Sequence, residues 1–143
     1  MGIAEENGRL PLKRGPKALQ EKGIPYYHLT KKGILVGLAI NGIENMVPQS
    51  KKFFVKSKPE EKEFEKILTK FMITSPTFTY SIFQKYVKAF CEDKIKELLP
   101  FNLSKLQDIL DENLIIQKEI VLAFGKLSSK EKKEAIVFLE KIT

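Results

Sequence analysis

The stretch PYYHLTKKGILVGLAI, residues 25–40, changes from a strand pattern to a helix pattern within a few residues. Up to Thr30 the side chains alternate in the manner of a β-strand. Beyond Thr30 the apolar residues recur at helical spacing, and the Thr30 hydroxyl can cap the new helix. The stretch therefore predicts a strand followed by a helix that Pro48 ends, and a buried strand over residues 33–40 is the alternative.

The alternation assigns the strand residues to two faces. Tyr27 and Leu29 share one face, which is expected to point inward, and Tyr26, His28 and Thr30 share the other. The preceding residues, 7–25, hold three prolines and three glycines among basic residues, so that no regular element is expected to run through them.

Four further helices are expected after residue 58, and a serine that can cap the helix precedes three of them. Ser57 with Pro59, and Ser75 with Pro76, place a capping residue and a proline where a helix begins. The apolar stripes predict helices from residue 59 to before Ser75, over 76–99, over 104–126, and from Ser128 or Ser129 to 142. The predicted fold is mainly α, a short N-terminal β-hairpin followed by a bundle of about five helices.

The corresponding organisation has three parts. Residues 1–47 hold the hairpin and the following helix, 48–58 form a basic linker, and 59–143 form the helical bundle, which would serve dimerisation or sensing. The predicted helix over 104–126 is apolar on more than one face. Such a helix lies either in the centre of a monomeric bundle or against a second copy of the chain.

Composition excludes several classes of protein. A single cysteine and a single histidine rule out an internal disulfide and leave too few soft ligands for a zinc site. The longest apolar run, Ile34–Ile43, is broken by glycine and asparagine and is too short to cross a membrane. The start of the sequence has no signal-peptide pattern. We expect a cytoplasmic protein with no cofactor and no membrane partner.

Individual residues that could carry chemistry have simpler interpretations. No nucleophile pairs with His28 in the sequence, so an exposed strand residue is expected there rather than a catalytic base. Cys91 falls on an apolar stripe and is expected to be a buried, inert thiol. The aromatic pair Phe53–Phe54 is expected to pack on the helical core. Four glutamates are expected to form a solvated helical turn: Glu60, Glu61, Glu63 and Glu65. No enzyme is indicated.

The net charge of +7 is concentrated in two short segments. Residues 1–32 carry +4 and residues 51–58 carry another +4, whereas the remaining segments sum to −1. Locally concentrated lysine and arginine raise the surface potential and release counterions from a phosphate backbone. This distribution suits an anionic partner such as nucleic acid, although lysine-rich surfaces are also common in proteins without one.

The segment KRGPKALQEKGIPYYHLTKKG resembles the wing of winged-helix transcriptional regulators of the PadR/MarR type. There a basic loop containing glycine and proline leads into a strand reading Tyr-x-Leu-Thr, followed after two residues by glycine and another helix. The matching residues are Tyr27, Leu29, Thr30 and Gly33. The resemblance covers about residues 8–45 and implies that the leucine packs into the core while the basic loop lies along the DNA backbone.

The resemblance implies a set of DNA-contacting residues that position the protein without reading bases. These are Arg9, Lys13, Arg14, Lys17, Lys22, Tyr26, His28, Lys31 and Lys32. The helix-turn-helix that precedes a wing is not present in this chain. Either the chain is the C-terminal part of a longer regulator, or the hairpin serves another purpose.

Two functions follow as hypotheses. The first is a DNA-binding transcriptional regulator, or a fragment of one, whose basic wing contacts the backbone of double-stranded DNA and whose helices mediate homodimerisation through residues 76–126 or sense an effector. The alternative is a helical protein–protein interaction module whose basic arm docks on an acidic partner, with no DNA role.

Overall fold

The chain is mainly α-helical, with a two-stranded antiparallel hairpin at its N terminus and about eight helices after it. The computed structural model describes residues 2–55, 57–62, 64–109 and 111–143. The chain divides into two units, Met1–Ile109 and Leu110–Thr143. The predicted fold class is confirmed, and the helices outnumber the expected five because several predicted helices are interrupted.

The hairpin consists of strands β1 (Ala4–Leu10) and β2 (Ile24–Leu29), and a short helix α1 (Lys17–Lys22) lies between them. The expectation of no regular element over residues 7–25 is therefore wrong. Pro16 directly precedes α1, and Gly23, at φ +68°, turns the chain into β2. Gly8 and Pro25 lie within the strands, Gly8 at an irregularity in the register of β1.

Helix α2 (Lys31–Ile40) follows β2 directly, as the first of the two alternatives predicted. The Gly33 N–H donates to the Thr30 hydroxyl over 3.1 Å, which confirms the predicted cap. The helix ends well before Pro48, because the chain turns at Gly42, whose φ is +77°. Pro48 instead lies in the first turn of the next helix, where a missing N–H costs nothing.

Helix α3 (Met46–Phe54) follows a 3-10 turn and occupies most of the segment expected to be a linker. Phe53 and Phe54 are buried on one side of the helix, whereas Lys51 and Lys52 are exposed. The interpretation of 48–58 as a linker was wrong because the lysines form the solvated side of an amphipathic helix. The prediction that the two phenylalanines pack on the core is confirmed.

Three helices continue the first unit before a loop closes it: α4 (Pro59–Lys62), α5 (Glu65–Thr74) and α6 (Pro76–Cys91). Helix α6 ends eight residues earlier than predicted, near Asp93, which has a positive φ of 58°. The loop after it buries Ile95, Leu98 and Phe101. These apolar residues continue the stripe in the sequence but enter the core from a loop, and α7 (Leu103–Asp108) follows.

Phe101 lies at the centre of the core of this unit and is fully buried. The ring of Tyr86 lies 4.8 Å from it edge-on, that of Phe64 5.2 Å, that of Phe83 5.7 Å and that of Phe53 6.0 Å, measured between centroids. The rings come from α3, α6 and the segment before α5, so the loop residue Phe101 joins these elements. Aromatic contacts of this kind add to the hydrophobic contribution of the buried area.

Burial of Tyr86, and secondarily the negative charge of Glu61, raise the pKa of the Tyr86 phenol well above its usual value. The hydroxyl donates to the Leu98 carbonyl over 2.9 Å. Above pH ~10 the unfolded tyrosine ionises while the folded one keeps its proton, so folding stability should fall by up to ~1.4 kcal/mol per pH unit.

We expect Tyr86→Phe to cost about 1 kcal/mol at pH 7, because it leaves the Leu98 carbonyl without this donor. The variant has no tyrosine at this position, so its stability should not fall with ionisation of Tyr86 as that of the wild type does. The difference in free energy of unfolding between the two proteins should therefore shrink between about pH 9 and pH 11. Urea unfolding at the two pH values measures this, and an unchanged deficit would contradict the assignment.

Two residues differ from their sequence-based interpretation. Glu61 is buried rather than solvated, because it pairs with Lys31, and Cys91 is exposed rather than buried. Cys91 is the last residue of α6, and the buried positions of that helix, Tyr86 and Ala89 among them, lie on another face. Glu63 lies outside the described residues.

The second unit contains α8 (Glu112–Lys126) and α9 (Ser129–Ile142). The helix predicted over 104–126 is thus two helices, because Asp111 begins a new one by accepting from the Leu114 N–H over 3.1 Å. Ser128 and Glu131 form a reciprocal capping box at α9, as its serine predicted. No residue over 111–143 is buried. Among the described residues, no helix is both long and apolar enough to cross a membrane.

Candidate nucleic-acid interface

The two faces of the hairpin are those that the alternation predicted. The pairing of Ala4 with Leu29, and of Glu5 with His28, places Leu29 and His28 on opposite sides of the two-stranded sheet. The inward orientation, however, is wrong. The side chain of Leu29 is 50% exposed and that of Tyr27 63% exposed. Neither strand holds a buried residue, so the hairpin has no core-facing side.

The hairpin is attached to the helices at its open end. The Thr30 N–H donates to the Ile3 carbonyl over 2.9 Å, and the Thr30 hydroxyl donates to the same carbonyl over 3.0 Å. Gly33 is buried beneath this carbonyl, and a Cβ at that position would lie 2.0 Å from the Ile3 oxygen. Thr30 and Gly33 therefore form the joint between hairpin and helix. This contact explains why the motif has threonine and glycine at these two positions.

Arg9 holds α1 against the hairpin. Its guanidinium donates to the Lys22 carbonyl and, over 3.0 Å, to the Gly23 carbonyl, both at the C-terminal end of that helix. It also forms an ion pair of 3.3 Å with Glu6. A bidentate fork of this kind is typical of arginine. The structure thus shows Arg9 engaged in shaping the hairpin.

The acidic residues near the open end are engaged as well. The His28 Nε2 lies 2.9 Å from a carboxylate oxygen of Glu5, its partner in the register. The ring of Tyr26, on the same face as His28, lies against Gly8, where a Cβ would come within 3.0 Å of it. Glu5 and Glu6 thus both contact basic side chains of the hairpin itself. They do not pair with the basic residues nearer the turn.

The turn region between the strands, residues 11–23, which we call the tip, carries the largest free positive charge of the hairpin. Lys13, Arg14, Lys17 and Lys22 are all exposed. Within the described part of the chain, none of these four side chains forms an ion pair or side-chain hydrogen bond. Glu21 is the one acidic residue of the tip. The tip therefore concentrates positive charge in solvent.

The two lysines that begin α2 have different environments. Lys31 points inward, where its ammonium pairs with the carboxylate of Glu61 and lies 4.9 Å from the centroid of the Phe53 ring. Lys32 lies at the surface. Of the predicted set of DNA-contacting residues, the structure directs Lys31 into the unit, engages Arg9 within the hairpin and leaves the four tip cations exposed.

The Glu61 carboxylate was missed by sequence reasoning. It is 1% exposed and also accepts from the backbone N–H of Lys58 over 3.0 Å and of Phe101 over 3.3 Å. Nothing in the glutamate-rich run distinguishes it from its neighbours, because its partners Lys31 and Phe101 are 30 and 40 residues away in the chain.

Chemically, the tip offers lysine and arginine donors for an anion and no nucleophile–base pair. In the described part of the chain, no three His, Cys, Asp or Glu side chains are grouped so that they could hold a metal ion. Flexible cations in solvent neutralise phosphates and position a partner, but they do not specify sequence. Comparisons with known proteins add no assignment, since no family model, curated protein or solved structure matches the chain.

Proposed function

We propose that the protein binds double-stranded DNA through the tip of its N-terminal hairpin, by contacts to the phosphate backbone that tolerate any base sequence. The observation that carries this proposal is the group of four exposed tip cations, Lys13, Arg14, Lys17 and Lys22, without acidic partners in the described part of the chain. Residues with this charge and exposure release counterions when they meet phosphates.

The architecture of the hairpin supports the same role. Its seven-residue strand β1 extends roughly 23 Å at about 3.3 Å per residue. Arg9 fixes α1 to the strands, so the tip cations are held on a defined scaffold rather than on a loose tail. Such a scaffold lowers the entropy lost when the cations meet the backbone.

In the cell, this activity fits a cytoplasmic gene regulator in which the hairpin acts as a wing, without catalytic activity. The winged-helix resemblance contributes the position of the basic loop before Tyr-x-Leu-Thr. The resemblance also implies that Leu29 packs into the core, and this part of it does not hold, because Leu29 is half exposed. The proposal therefore depends on the charge of the tip, and base recognition is assigned to no residue of this chain.

The test is fluorescence anisotropy with a labelled DNA duplex across a salt series. We expect affinity to fall steeply as salt rises, and the combined variant Lys13→Ala, Arg14→Ala, Lys17→Ala to weaken binding by about 10- to 100-fold at low salt. The slope of log K against log salt should become shallower by roughly 0.9 for each phosphate that the variant no longer neutralises.

The matched control removes three exposed lysines of the region around α5, in Lys62→Ala, Lys66→Ala, Lys70→Ala. It changes the net charge equally but leaves the tip intact, and its affinity should stay within about threefold of wild type. Equal losses in both variants would mean that overall charge attracts the DNA, and this would contradict the assignment to the tip.

A second candidate function is docking of the hairpin on an acidic protein partner. The observation that favours it is the exposed apolar surface of the strands, with Tyr27 and Leu29 on one face and Ile24 on the other. Phosphate contacts leave such side chains uncovered, whereas a protein partner would bury them. Replacing Tyr27 and Leu29 by serine separates the two, since DNA affinity should be unaffected and protein docking lost.

A further inference from the structure

Strand β2 presents an aromatic ring that the described part of the chain leaves uncovered. The side chain of Tyr27 is 63% exposed, more than any other aromatic side chain among the described residues. Within those residues its hydroxyl forms no hydrogen bond and its ring contacts no other ring. Such a ring has a free face on which a flat, unsaturated group can stack.

The opposite face of β2 is engaged by the hairpin itself. The ring of Tyr26 lies against Gly8, where a Cβ would come within 3.0 Å of it. The Nε2 atom of His28, the next residue on that face, lies 2.9 Å from a carboxylate oxygen of Glu5. The two faces therefore differ, and the face of Tyr27 is the one left for a partner.

The charges around Tyr27 fit a partner that carries phosphates. Its partner in the register is Glu6, whose carboxylate forms an ion pair of 3.3 Å with the Arg9 guanidinium. Tyr27 lies four residues beyond Gly23, the end of the tip, or about 13 Å along the strand at about 3.3 Å per residue. A nucleic-acid strand whose phosphates contact the tip spans this distance with about four nucleotides, at about 3.4 Å each.

The pairing state of the DNA decides whether the ring can be used. In a duplex each base is stacked between its neighbours, so its flat face is not open to a tyrosine. In an unpaired segment the face is open, and stacking on an aromatic side chain contributes to the binding of single strands. Every base has such a face, so this contact tolerates any sequence, as the phosphate contacts of the tip do.

We propose that Tyr27 stacks on an unpaired base of DNA, so that the protein prefers duplexes carrying a single-stranded segment over fully paired duplexes. Pro25 and Leu29 lie on the same face of β2 and place apolar surface on either side of the ring. The inference rests on the proposed function, because the tip cations hold the backbone of the DNA whose base reaches the ring.

The preference is measured by fluorescence anisotropy with two labelled DNAs. One is a fully paired duplex of about 20 base pairs, and the other is the same duplex with a single-stranded tail of about eight thymidines, within the size of known single-strand sites. The ratio of the two affinities in wild type should exceed that in Tyr27→Leu by about tenfold. Because both proteins meet the added phosphates of the tail equally, the difference between the ratios reports the ring.

Two further variants separate stacking from apolar contact and from the fold of the hairpin. Tyr27→Phe keeps the ring and should keep the wild-type ratio, whereas a protein partner that only buries apolar area accepts leucine as well. Affinity of Tyr27→Leu for the paired duplex should stay within about twofold of wild type, because that DNA leaves the ring uncovered. Tyr26→Leu makes the same change on the opposite face and should leave the ratio unaltered.

The outcomes separate this inference from the proposed function. An unaltered ratio in Tyr27→Leu, with the paired duplex still bound, would overturn stacking and leave duplex binding by the tip in place. Equal losses in Tyr26→Leu and Tyr27→Leu would overturn the assignment to one face. Tail-dependent binding that needs Tyr27, without any binding of the paired duplex, would support stacking and contradict duplex binding. Failure to bind either DNA would overturn both.

Direct contact is detected by fluorescence, because the chain contains no tryptophan. Tyr27→Trp introduces a single indole, whose emission a stacked base quenches. The tailed duplex should quench it strongly and the paired duplex should not, whereas neither DNA should quench Tyr26→Trp. Quenching at position 26 without quenching at position 27 would overturn the proposal.

Discussion

Replacing Glu61 by alanine is expected to lower the free energy of unfolding of the first unit by about 3–5 kcal/mol, the cost of breaking a buried ion pair. The variant removes the Glu61 carboxylate from the Lys31 ammonium, whose side chain is 26% exposed. It also removes the acceptor of the buried N–H of Phe101, the residue at the centre of the aromatic core. Urea unfolding followed by far-UV circular dichroism measures the decrease.

A double-mutant cycle distinguishes the pair from the packing around it. Lys31→Met removes the other charge, and the double variant Lys31→Met, Glu61→Ala leaves neither charge of this pair behind. Its stability should exceed that of Glu61→Ala by at least about 1 kcal/mol. If the single substitutions simply add, the ion pair contributes nothing of its own and the role assigned to it is wrong.

Gly33→Ala is expected to detach the start of β1 from α2. An alanine Cβ would lie 2.0 Å from the Ile3 carbonyl oxygen, a distance that no repacking of side chains relieves, because the obstacle is backbone. The hydrogen bonds from Thr30 to the Ile3 carbonyl would break with the displacement. We expect a cost of about 2–3 kcal/mol in the stability of this joint.

Hydrogen exchange at the Thr30 amide measures this directly, since its N–H is donated to Ile3 over 2.9 Å. Gly37→Ala, four residues later in the same helix, is the control. Its Cβ would meet only the side chains of Gln49 and Asn41, at 3.2 and 3.4 Å, and the substitution should be neutral or stabilising by up to about 1 kcal/mol. Equal protection of Thr30 in both variants would contradict the assigned role of Gly33.

The features predicted correctly are those that neighbouring residues decide. The Thr30 cap and the capping serine of α9 each involve partners three residues away. Helix α6 begins at Pro76 as predicted, but Ser75 makes no side-chain capping hydrogen bond. The faces of β2 follow from alternation alone. Local hydrogen-bonding and steric preferences are readable from sequence because they depend on few residues.

The predictions that failed mostly concern which residues become buried and which part of the chain covers them. Leu29 alternates as an inward residue should, yet the chain packs too little against it, and its side chain is half exposed. The stripe of α6 continues into Ile95 and Leu98, which reach the core from a loop after the helix has ended. Periodicity shows that a residue is apolar at a given spacing, but the partner that buries it comes from distant parts of the chain.

The sequence was sufficient to predict which basic residues belong to the candidate site. It was not sufficient to predict how their side chains are placed and which partners they have. Composition and position identified the basic residues of the hairpin, but the sequence did not distinguish their roles. Arg9 shapes the hairpin through backbone carbonyls, Lys31 pairs with Glu61, and the tip lysines remain in solvent. Long basic side chains reach several angstroms, so their partners depend on the tertiary structure.

Binding of DNA by the tip cations can be tested residue by residue, by acetylation of surface lysines read by mass spectrometry with and without a saturating DNA duplex. If the tip contacts the phosphate backbone, Lys13, Lys17 and Lys22 become strongly protected by DNA, while Lys130 and Lys133 of α9 react at an unchanged rate. Protection of the α9 lysines with the tip lysines still reactive would contradict the proposed interface.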